Sequence, residues 1–382
     1  MHRLLLLIGL LLSSIAFSGS DICLEKECIA VINAGNAGSR LHVYQYELDS
    51  SGAFRNIKNV LSKKIEPGLA SVELNQSAID RYLSLLFSDV PNLKIPVYVY
   101  ATSGMRMLDF SVQQAYYAKL TQWFNEHAPG QLVVAKTLTS NEEALFGWLA
   151  VNYELGVLTS PSASLVSVVD TGSGSIQVAF PLKSVEGVRP NDYIELNVYG
   201  RHVSLFTHGF LGLGQDQIRA QYLDNEVCFP RHYPLPNGAL GAGDFQLCRK
   251  LVTPMINDVH QVDNILKSVM QSQPEQVWYI IGGMSAMLQE RPFIFEHNEL
   301  THQQLAAEAN QQVCQQDWAV LGTLYQKNKY LFSNCLNASY LYSFFVDGLK
   351  MSETQTIHFI SNKVSTNDWT LGVVLFASSH LD

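Results

Sequence analysis

Two glycine-rich segments carry residue types that can hold a phosphate group. The first, "NAGNAGSR", lies between the apolar runs "CIAVI" and "LHVY", and the second, "DTGSGSIQ", lies between "SLVSVV" and "VAF". Each pattern predicts a strand, a tight turn and a second strand, because apolar runs flank a cluster of glycine and small polar residues. Backbone N–H groups that converge in such a turn can bind an anion. The two segments are therefore candidate phosphate-binding loops.

The two loops repeat one pattern. Residues 31–35 match residues 168–172, and a serine follows a few positions later in both. The period of about 137 residues is too long for a solenoid repeat and suits the duplication of a domain. Two facing loops from related α/β domains would grip a phosphate chain in the cleft between them. One such loop alone would be weak evidence, because ordinary glycine-rich hairpins have the same composition.

The remaining chain supplies the elements that must position these loops. Hydrophobic periodicity predicts helices over 76–89, 111–128 and 140–156, and strands over 97–102 and 277–283. We place the domain boundary in the loop that follows residue 156. The expected domains are 21–156, completed by about 360–382, and 157–359.

Composition argues against a nucleic acid as the main partner. The chain has 382 residues, 47% of them hydrophobic, so it can bury a sizeable core, and its length favours two domains. The formal net charge is −9 with no long basic run, whereas binding to a nucleic-acid backbone needs clustered lysine and arginine. We expect a small anionic ligand that is bound locally.

The N-terminus predicts export. Arg3 is followed by an apolar run over residues 4–12 and then by small residues, which is typical of a signal peptide over residues 1–20. The run is too short to span a bilayer. The alternative is an uncleaved anchor. We expect a secreted or periplasmic protein with no membrane span after cleavage.

All six cysteines follow that segment, and an even number in an exported chain predicts disulfides. Their spacing suggests three local loops. No CxxC pair occurs and no histidine sits at ligand spacing, so we expect no zinc site. The expected pairs are Cys23 with Cys28, Cys228 with Cys248, and Cys314 with Cys335.

Seven segments, in order along the chain, resemble the signature blocks of the apyrases, or nucleoside triphosphate diphosphohydrolases. They are "NAGNAGSRLHVY", "VYATSGMRML", "SNEEALFGWLAVNYELG", "VVDTGSGSIQVAF", "HGFLGLG", "CLNASYLYSFFVDG" and "DWTLG". The family belongs to the superfamily of actin, hexokinase and the heat-shock ATPases. The resemblance therefore implies an α/β fold with two duplicated RNase-H-like (actin-like ATPase) domains and a nucleotide cleft between them.

The resemblance also implies an activity. It is the metal-dependent hydrolysis of nucleoside tri- and diphosphates to monophosphates and phosphate, with Mg²⁺ or Ca²⁺. Separately, we expect the protein to be a monomer. Cleavage of a phosphoanhydride needs an in-line water and neutralisation of the developing charge by a metal, arginine and backbone amides. The family's metal is held mainly by phosphates and water, so we expect no dense cage of carboxylates.

Glu143 matches the family's glutamate that orients and deprotonates the attacking water. Ser175 and Gln177 match polar contacts to metal-bound water and to the nucleophile. The residues alone favour another interpretation, because Ser140 and Glu143 have the spacing of a capping box at the start of a helix. The resemblance reverses that preference, since it places this glutamate on the cleft.

The same blocks indicate the metal and nucleotide contacts. Asp170 and Asn33 match two aspartates that order water around the metal, and Trp369 matches a tryptophan near it. Tyr330 or Tyr340 is the expected platform for the nucleobase. The residues that match phosphate contacts are Gly35, Asn36, Gly38, Ser39, Arg40, Thr102, Arg106, Gly172, Ser173 and Gly174.

The first loop departs from the family pattern Asp-Ala-Gly-Ser-Ser/Thr. Asn33 keeps a carbonyl acceptor but lacks the negative charge, and Asn36 and Ala37 replace two hydroxyl residues. Loss of a carboxylate behind a metal can cost about 10–100-fold in affinity or activity. We therefore expect a weakened enzyme, with a nucleotide-binding pseudoenzyme as the alternative. Hydrolysis of polyphosphate or of a guanosine alarmone is a third alternative. Relatives with those activities are usually cytosolic, so the predicted signal peptide and disulfides disfavour it.

Overall fold

The computed structural model describes Cys23 and residues 27–50, 52–90, 94–271, 276–360 and 368–379. The predicted signal peptide lies outside these residues. No helix within the described ranges is long and apolar enough to cross a membrane. The three predicted disulfides are confirmed, joining Cys23 to Cys28, Cys228 to Cys248, and Cys314 to Cys335.

The strands of the described ranges form two sheets. They are β1 (Glu27–Ala34), β2 (Ser39–Leu48), β3 (Phe54–Ile65), β4 (Val97–Ala101), β5 (Leu132–Thr137), β6 (Ser167–Thr171), β7 (Ser175–Pro181), β8 (Tyr193–Val198), β9 (Arg201–Leu211), β10 (Trp278–Gly282), β11 (Glu299–Thr301) and β12 (Thr356–Phe359). The first sheet has the order β3-β2-β1-β4-β5, and the second has the order β11-β12-β10-β6-β7-β9-β8.

The two sheets share one topology. In the first, β1, β2 and β3 form an antiparallel meander, while β4 and β5 continue the other side of β1 in parallel. In the second, β6, β7 and β9 are antiparallel, while β10 and β12 continue the other side of β6 in parallel. The sheets thus repeat each other strand for strand, with β8 and β11 added at the edges, as the internal sequence repeat predicts.

The helices of the described ranges surround the sheets. They are α1 (Gln76–Leu86), α2 (Ser103–Arg106), α3 (Phe110–His127), α4 (Ser140–Glu154), α5 (Gln215–Tyr222), α6 (Phe245–Pro254), α7 (Val262–Gln271), α8 (Gly283–Leu288), α9 (His302–Ala309), α10 (Trp318–Leu324), α11 (Asn334–Ser343) and α12 (Thr370–Ser379). The helices predicted over 76–89, 111–128 and 140–156 correspond to α1, α3 and α4, with bounds that differ by one to three residues.

Helix α4 joins the two halves of the molecule. Every residue from 143 to 152 is buried, which explains its apolar character on all sides. It packs against α12 and against β6, β7 and β9 of the second sheet. Trp148 lies in one core cluster with Trp369 and Val374. This burial fixes the first turn of α4, which carries Glu143. The domain boundaries near residues 156 and 360 remain a prediction.

Candidate active site

A cleft of about 450 Å³ lies where the two hairpin loops face each other, a size within the usual range for small-ligand sites. Most of the residues expected to form the active site line this cleft. They are Asn33, Gly35, Asn36, Gly38, Arg40, Thr102, Glu143, Asp170, Gly172, Ser173 and Trp369. These residues are separated along the chain, and the fold brings them together.

The two loops hold their polar residues in one register. Asn33 pairs with Arg40 across β1 and β2, and Asp170 pairs with Gln177 across β6 and β7. β1 lies between antiparallel β2 and parallel β4, and β6 lies in the same way between antiparallel β7 and parallel β10. Asn33 and Asp170 therefore occupy equivalent positions in the duplicated units, on opposite sides of the cleft.

Close backbone contacts support both loops from behind. A Cβ atom on Gly68 would lie 2.2 Å from the carbonyl oxygen of Asn36. A Cβ atom on Gly214 would lie 2.3 Å from the backbone nitrogen of Gly174. Neither segment could approach its loop so closely if it carried a side chain. The loop backbones are thus held in place before any ligand binds.

Glu143 lies in the first turn of α4, and its side chain is almost completely buried, with 6% exposed. Its Oε2 atom accepts a hydrogen bond of 2.7 Å from Nη2 of Arg106. Burial raises the pKa of the Glu143 carboxyl, and the charge of Arg106 and its hydrogen bond act in the opposite direction. The result is a buried carboxylate with a raised pKa at the wall of the cleft.

The capping interpretation of Glu143 is wrong by one residue. The capping box of α4 forms between Thr139 and Glu142: Thr139 Oγ1 accepts from the backbone N–H of Glu142, and Glu142 Oε2 accepts from the backbone N–H of Thr139 at 2.8 Å. Glu142 also pairs with Lys136. The orphan N–H groups of the helix are thus satisfied by the neighbouring residues. Glu143 takes no part in the cap.

Arg106 connects Glu143 to the second loop. Its Nη2 also donates to Ser175 Oγ at 2.9 Å, and its Nη1 donates to the carbonyl oxygen of Leu138 at 3.1 Å. Gln177 Nε2 donates to the same Ser175 hydroxyl at 2.6 Å. Arg106 therefore contacts Glu143 directly, whereas Ser175 contacts Arg106 and Gln177 contacts Ser175. None of the three lines the cleft, although Arg106 was expected to contact phosphate, and Ser175 and Gln177 to contact metal-bound water and the nucleophile. Gly174, which was also expected to contact phosphate, is not among the residues that line the cleft.

The residues of the expected metal site fit a hydrated divalent cation. Burial, followed by the charges of Glu143 and Asp368, raises the pKa of Asp170 well above its ordinary value. Asn33 Oδ1 is buried and has no hydrogen-bond partner among the described residues. Buried carboxylates that repel one another and an unpartnered carbonyl oxygen suit a hard cation such as Mg²⁺ or Ca²⁺. Within the described ranges, no three His, Cys, Asp or Glu side chains are grouped so that they could hold a metal ion.

Asp368 borders the same cleft, although it was not among the expected site residues. Its Oδ2 lies 3.5 Å from Nδ2 of Asn33 and 3.1 Å from Nε2 of His42. Its Oδ1 accepts from the backbone N–H of Thr370 at 2.9 Å. Burial acts to raise the pKa of Asp368, but His42 and the Thr370 hydrogen bonds outweigh it and lower that pKa overall. The hint in the sequence was its position directly before Trp369.

Comparison of the whole sequence with models of protein families shows which family this chain belongs to. The GDA1/CD39 (nucleoside phosphatase) family model matches residues 24–231 and 237–382 of the chain. The chain belongs to this family. The recognition of an apyrase-type sequence is thereby confirmed.

Several relatives in the family carry names of nucleotide hydrolases. Ectonucleoside triphosphate diphosphohydrolase 1 of Bos taurus is 24% identical over 421 residues, which cover 90% of this chain and 80% of that protein. Nucleoside-triphosphatase ntp-1 of Caenorhabditis elegans is 23% identical, with 92% and 73% covered. Probable apyrase 5 of Arabidopsis thaliana is 23% identical, with 90% and 81% covered. The relatives of this GDA1/CD39 member are thus enzymes of the NTPDase and apyrase type.

Solved structures agree on the fold. A nucleoside triphosphate hydrolase of Neospora caninum superposes with a TM-score of 0.64 at 15% identity, covering 92% of this chain and 93% of that one. A Ppx/GppA family member of Aquifex aeolicus superposes with a TM-score of 0.54 at 13% identity, covering 92% and 97%. At such identities the likeness concerns the fold alone, and it confirms the predicted actin-like α/β architecture.

Two of the expected family contacts lie away from the cleft. Tyr340 is fully buried in α11, where its hydroxyl donates to the carbonyl oxygen of Leu213 at 2.5 Å. Ser39 is also fully buried, and its Oγ accepts a 2.7 Å hydrogen bond from the hydroxyl of Tyr82. Both side chains are core residues of this family member. Their hydroxyl groups form hydrogen bonds inside the protein, and neither residue lines the cleft.

Of the two tyrosines expected as a platform for the nucleobase, Tyr330 lines the cleft. The residue is 43% exposed, and the guanidinium carbon of Arg219 lies 5.6 Å from the centre of its ring. Asn334 and Asn337 border the same space, and sequence reasoning missed both. Both side-chain polar atoms of Asn334, and Oδ1 of Asn337, are buried without a hydrogen-bond partner among the described residues. Unpaired buried amides are costly, which marks this part of the cleft as a candidate ligand contact.

Proposed function

We propose that this protein is a metal-dependent hydrolase that converts nucleoside tri- and diphosphates to monophosphates and phosphate. The observation that carries the proposal is Glu143, a buried carboxylate on the cleft that Arg106 orients toward the second loop. Family membership and the duplicated loops support the same reaction. A general base must reach its water while retaining a suitable pKa, and the surroundings of Glu143 favour both.

In the proposed reaction the oxygen of a water molecule forms a bond to the terminal phosphorus as the bond from phosphorus to the bridging oxygen breaks. Glu143 Oε takes the proton of that water, and the shorter nucleotide leaves with the bridging oxygen. Arg106 holds the Glu143 carboxylate in orientation through the 2.7 Å hydrogen bond. Backbone N–H groups at Gly35 and Ser173, together with Arg40, bind the phosphate oxygens.

Asn33 and Asp170, with Trp369 beside them, would hold Mg²⁺ or Ca²⁺ mainly through water. When bound, the cation supplies charge neutralisation to the phosphate oxygens. Tyr330 is the proposed platform for the base, because its exposed ring lines the cleft and bases stack on aromatic rings. Asn334 would supply hydrogen bonds to the base or ribose.

Export is part of the proposal. Three disulfides are present, and disulfides persist in oxidising compartments. The basic and apolar N-terminal segment supports secretion or release to a periplasm. We expect the protein to act as a monomer on nucleotides outside the cytosol.

A second candidate function is a nucleotide-binding protein without turnover. The observation that favours it is Asn33, which stands where the family has an aspartate, next to Asn36 and Ala37. This candidate predicts that nucleotide binding is detectable by calorimetry and that no phosphate is released at any metal concentration.

The test is phosphate release from ATP and ADP with Mg²⁺ or Ca²⁺, measured for the native protein and for Glu143→Gln. The matched control is Glu142→Gln, which changes the adjacent glutamate. It weakens the helix cap and the ion pair with Lys136, and Glu142 does not line the cleft. We expect release by the native protein and the control, and almost none by Glu143→Gln. Activity retained in Glu143→Gln would remove the proposed base. A native protein that binds nucleotide but releases no phosphate would support the second candidate.

A further inference from the structure

The first loop lacks a carboxylate, but a carboxylate stands beside it. Asp368 comes from the segment directly before α12, and its Oδ2 lies 3.5 Å from Nδ2 of Asn33. Asp368 lines the same cleft as Asp170 and Glu143. Asn33 therefore contacts a negative charge that comes from the far end of the chain.

His42 holds Asp368 in this place. Its Nε2 is 3.1 Å from Asp368 Oδ2, while its other ring nitrogen, Nδ1, is 2.8 Å from Ser62 Oγ and 3.0 Å from Asn59 Nδ2. Only 2% of the His42 side chain is exposed. Both ring nitrogens thus have partners, so the imidazole cannot rotate without losing them. On the other side, the backbone N–H and the hydroxyl of Thr370 donate to Asp368 Oδ1.

We propose that Asp368 supplies the carboxylate that the first loop lacks, and that it helps to order the divalent cation in the cleft. His42 is the positioning residue that holds Asp368 there. This inference rests on the proposed hydrolase function, because it explains how that chemistry tolerates Asn33.

The chemistry of the contact between Asn33 and Asp368 supports the proposal that Asp368 replaces the missing carboxylate of the first loop. An asparagine at position 33 can donate its amide N–H to Asp368, whereas an aspartate there would place two carboxylates in contact. The remaining carbonyl oxygen, Asn33 Oδ1, is buried and has no partner among the described residues. Asn33 and Asp368 together thus present one negative charge and one unpartnered carbonyl oxygen. A single aspartate in the first loop would present the same charge.

The exchange predicts a reciprocal pattern for four proteins: native, Asp368→Asn, Asn33→Asp, and the double swap Asn33→Asp with Asp368→Asn. We expect Asp368→Asn to weaken Ca²⁺ binding by about 10–100-fold, the usual effect of losing a carboxylate that supports a metal site. Asn33→Asp alone should not improve on the native protein, because it brings two carboxylates together. The double swap should recover most of the lost affinity, because the charge then sits in the loop itself.

Ca²⁺ binding is measured without nucleotide, by calorimetry and by the rise of the thermal midpoint with Ca²⁺ concentration. Phosphate release as a function of Ca²⁺ is the second readout. His42→Gln removes the imidazole that holds Asp368 in place. It should raise the Ca²⁺ concentration needed for half-maximal phosphate release, with little change in KM for nucleotide at saturating Ca²⁺. The matched control is Glu195→Gln, which breaks a surface pair with His202 Nε2 of 2.9 Å and should change neither readout.

The outcomes separate this inference from the proposed function. If Asp368→Asn binds Ca²⁺ like the native protein while Glu143→Gln is inactive, the hydrolase stands and the role of Asp368 is refuted. If the native protein and the double swap bind Ca²⁺ and Asp368→Asn does not, but no phosphate is released, the role of Asp368 stands and the hydrolase fails. Should the double swap be weaker than both single variants, the two side chains do not exchange roles and the inference is overturned.

Discussion

Replacing Arg106 with methionine removes the positive partner of Glu143 and tests whether that ion pair sets the state of the base. The pair is well shielded, with 11% of the Arg106 side chain and 6% of the Glu143 side chain exposed, so solvent screens it little. Removing one partner of a buried ion pair costs about 3–5 kcal/mol, because the other charge stays buried without compensation. For a protein of this length, with about 2.1 cal/mol/K of unfolding entropy per residue, that corresponds to a fall in the thermal midpoint of about 4–6 °C.

The cost should depend on pH in a defined direction. The pKa of Glu143 is already raised by burial, and Arg106 lowers it, so Arg106→Met raises that pKa further. A group whose folded-state pKa exceeds its unfolded value contributes stability below the unfolded pKa and loses it as pH rises through the folded value. The penalty of Arg106→Met should therefore be small near the ordinary value of 4.5 and larger at pH 8. For the same reason, the acidic limb of the profile of kcat/KM against pH should move to higher pH.

Scanning calorimetry at pH 5 and pH 8 measures the stability effect, and phosphate release across the same range measures the effect on the base. Arg249→Met is the control, because Arg249 pairs with Asp347 at 2.9 Å while both side chains are 21–23% exposed. Water can solvate that remaining carboxylate, so its loss of stability should be smaller. If Arg106→Met loses the same stability at both pH values, or loses less than Arg249→Met, then the ion pair with Arg106 does not set the protonation state of Glu143. Adding Glu143→Gln to Arg106→Met should abolish the pH dependence of the penalty.

Three further changes test other parts of the structure. Gly68→Ala should push the first loop out of place and reduce phosphate release at least 10-fold, roughly the effect of losing about 1.4 kcal/mol of transition-state stabilisation. Gly322→Ala in α10 has open space around its Cβ position and should leave activity unchanged in the same assay. Tyr330→Ala should raise KM for nucleotides about 10-fold or more with little change in kcat, because stacking on an aromatic ring is worth about 1–3 kcal/mol per base. Replacing Cys228 and Cys248 together with alanine should lower stability by about 2–4 kcal/mol, seen as a lower thermal midpoint under oxidising conditions.

Local patterns in the sequence were sufficient for the hairpin loops and the disulfides. A glycine turn with flanking apolar runs specifies a hairpin through neighbours in the chain, so Asn33 and Asp170 could be placed at equivalent positions from their repeat. The three disulfides close short loops, which made their pairing visible in the spacing. The seven family blocks supplied the fold and the position of Glu143 on the cleft.

Side-chain direction was only partly visible in the sequence. Tyr330 and Tyr340 lie ten positions apart in one aromatic stretch, yet Tyr330 borders the cleft and Tyr340 lies in the core. Tyr340 lies within α11, whose ten residues are all buried, whereas Tyr330 lies in the turn that precedes this helix. Similarly, the capping box is formed by Thr139 and Glu142, one residue earlier than the spacing of Ser140 and Glu143 predicts. The backbone of the preceding segment decides where α4 begins.

The contact between Asn33 and Asp368 was decided by tertiary structure alone. The two residues are 335 positions apart, and no periodicity or spacing relates them. Helix α12 packs against α4 and β1, and this packing sets Asp368 beside the first loop. The sequence by itself therefore determined that this chain has two phosphate-type loops and that one lacks its carboxylate. Only the folded chain determined that another carboxylate reaches the same place, because contacts between distant residues arise from the burial of whole helices and not from local sequence.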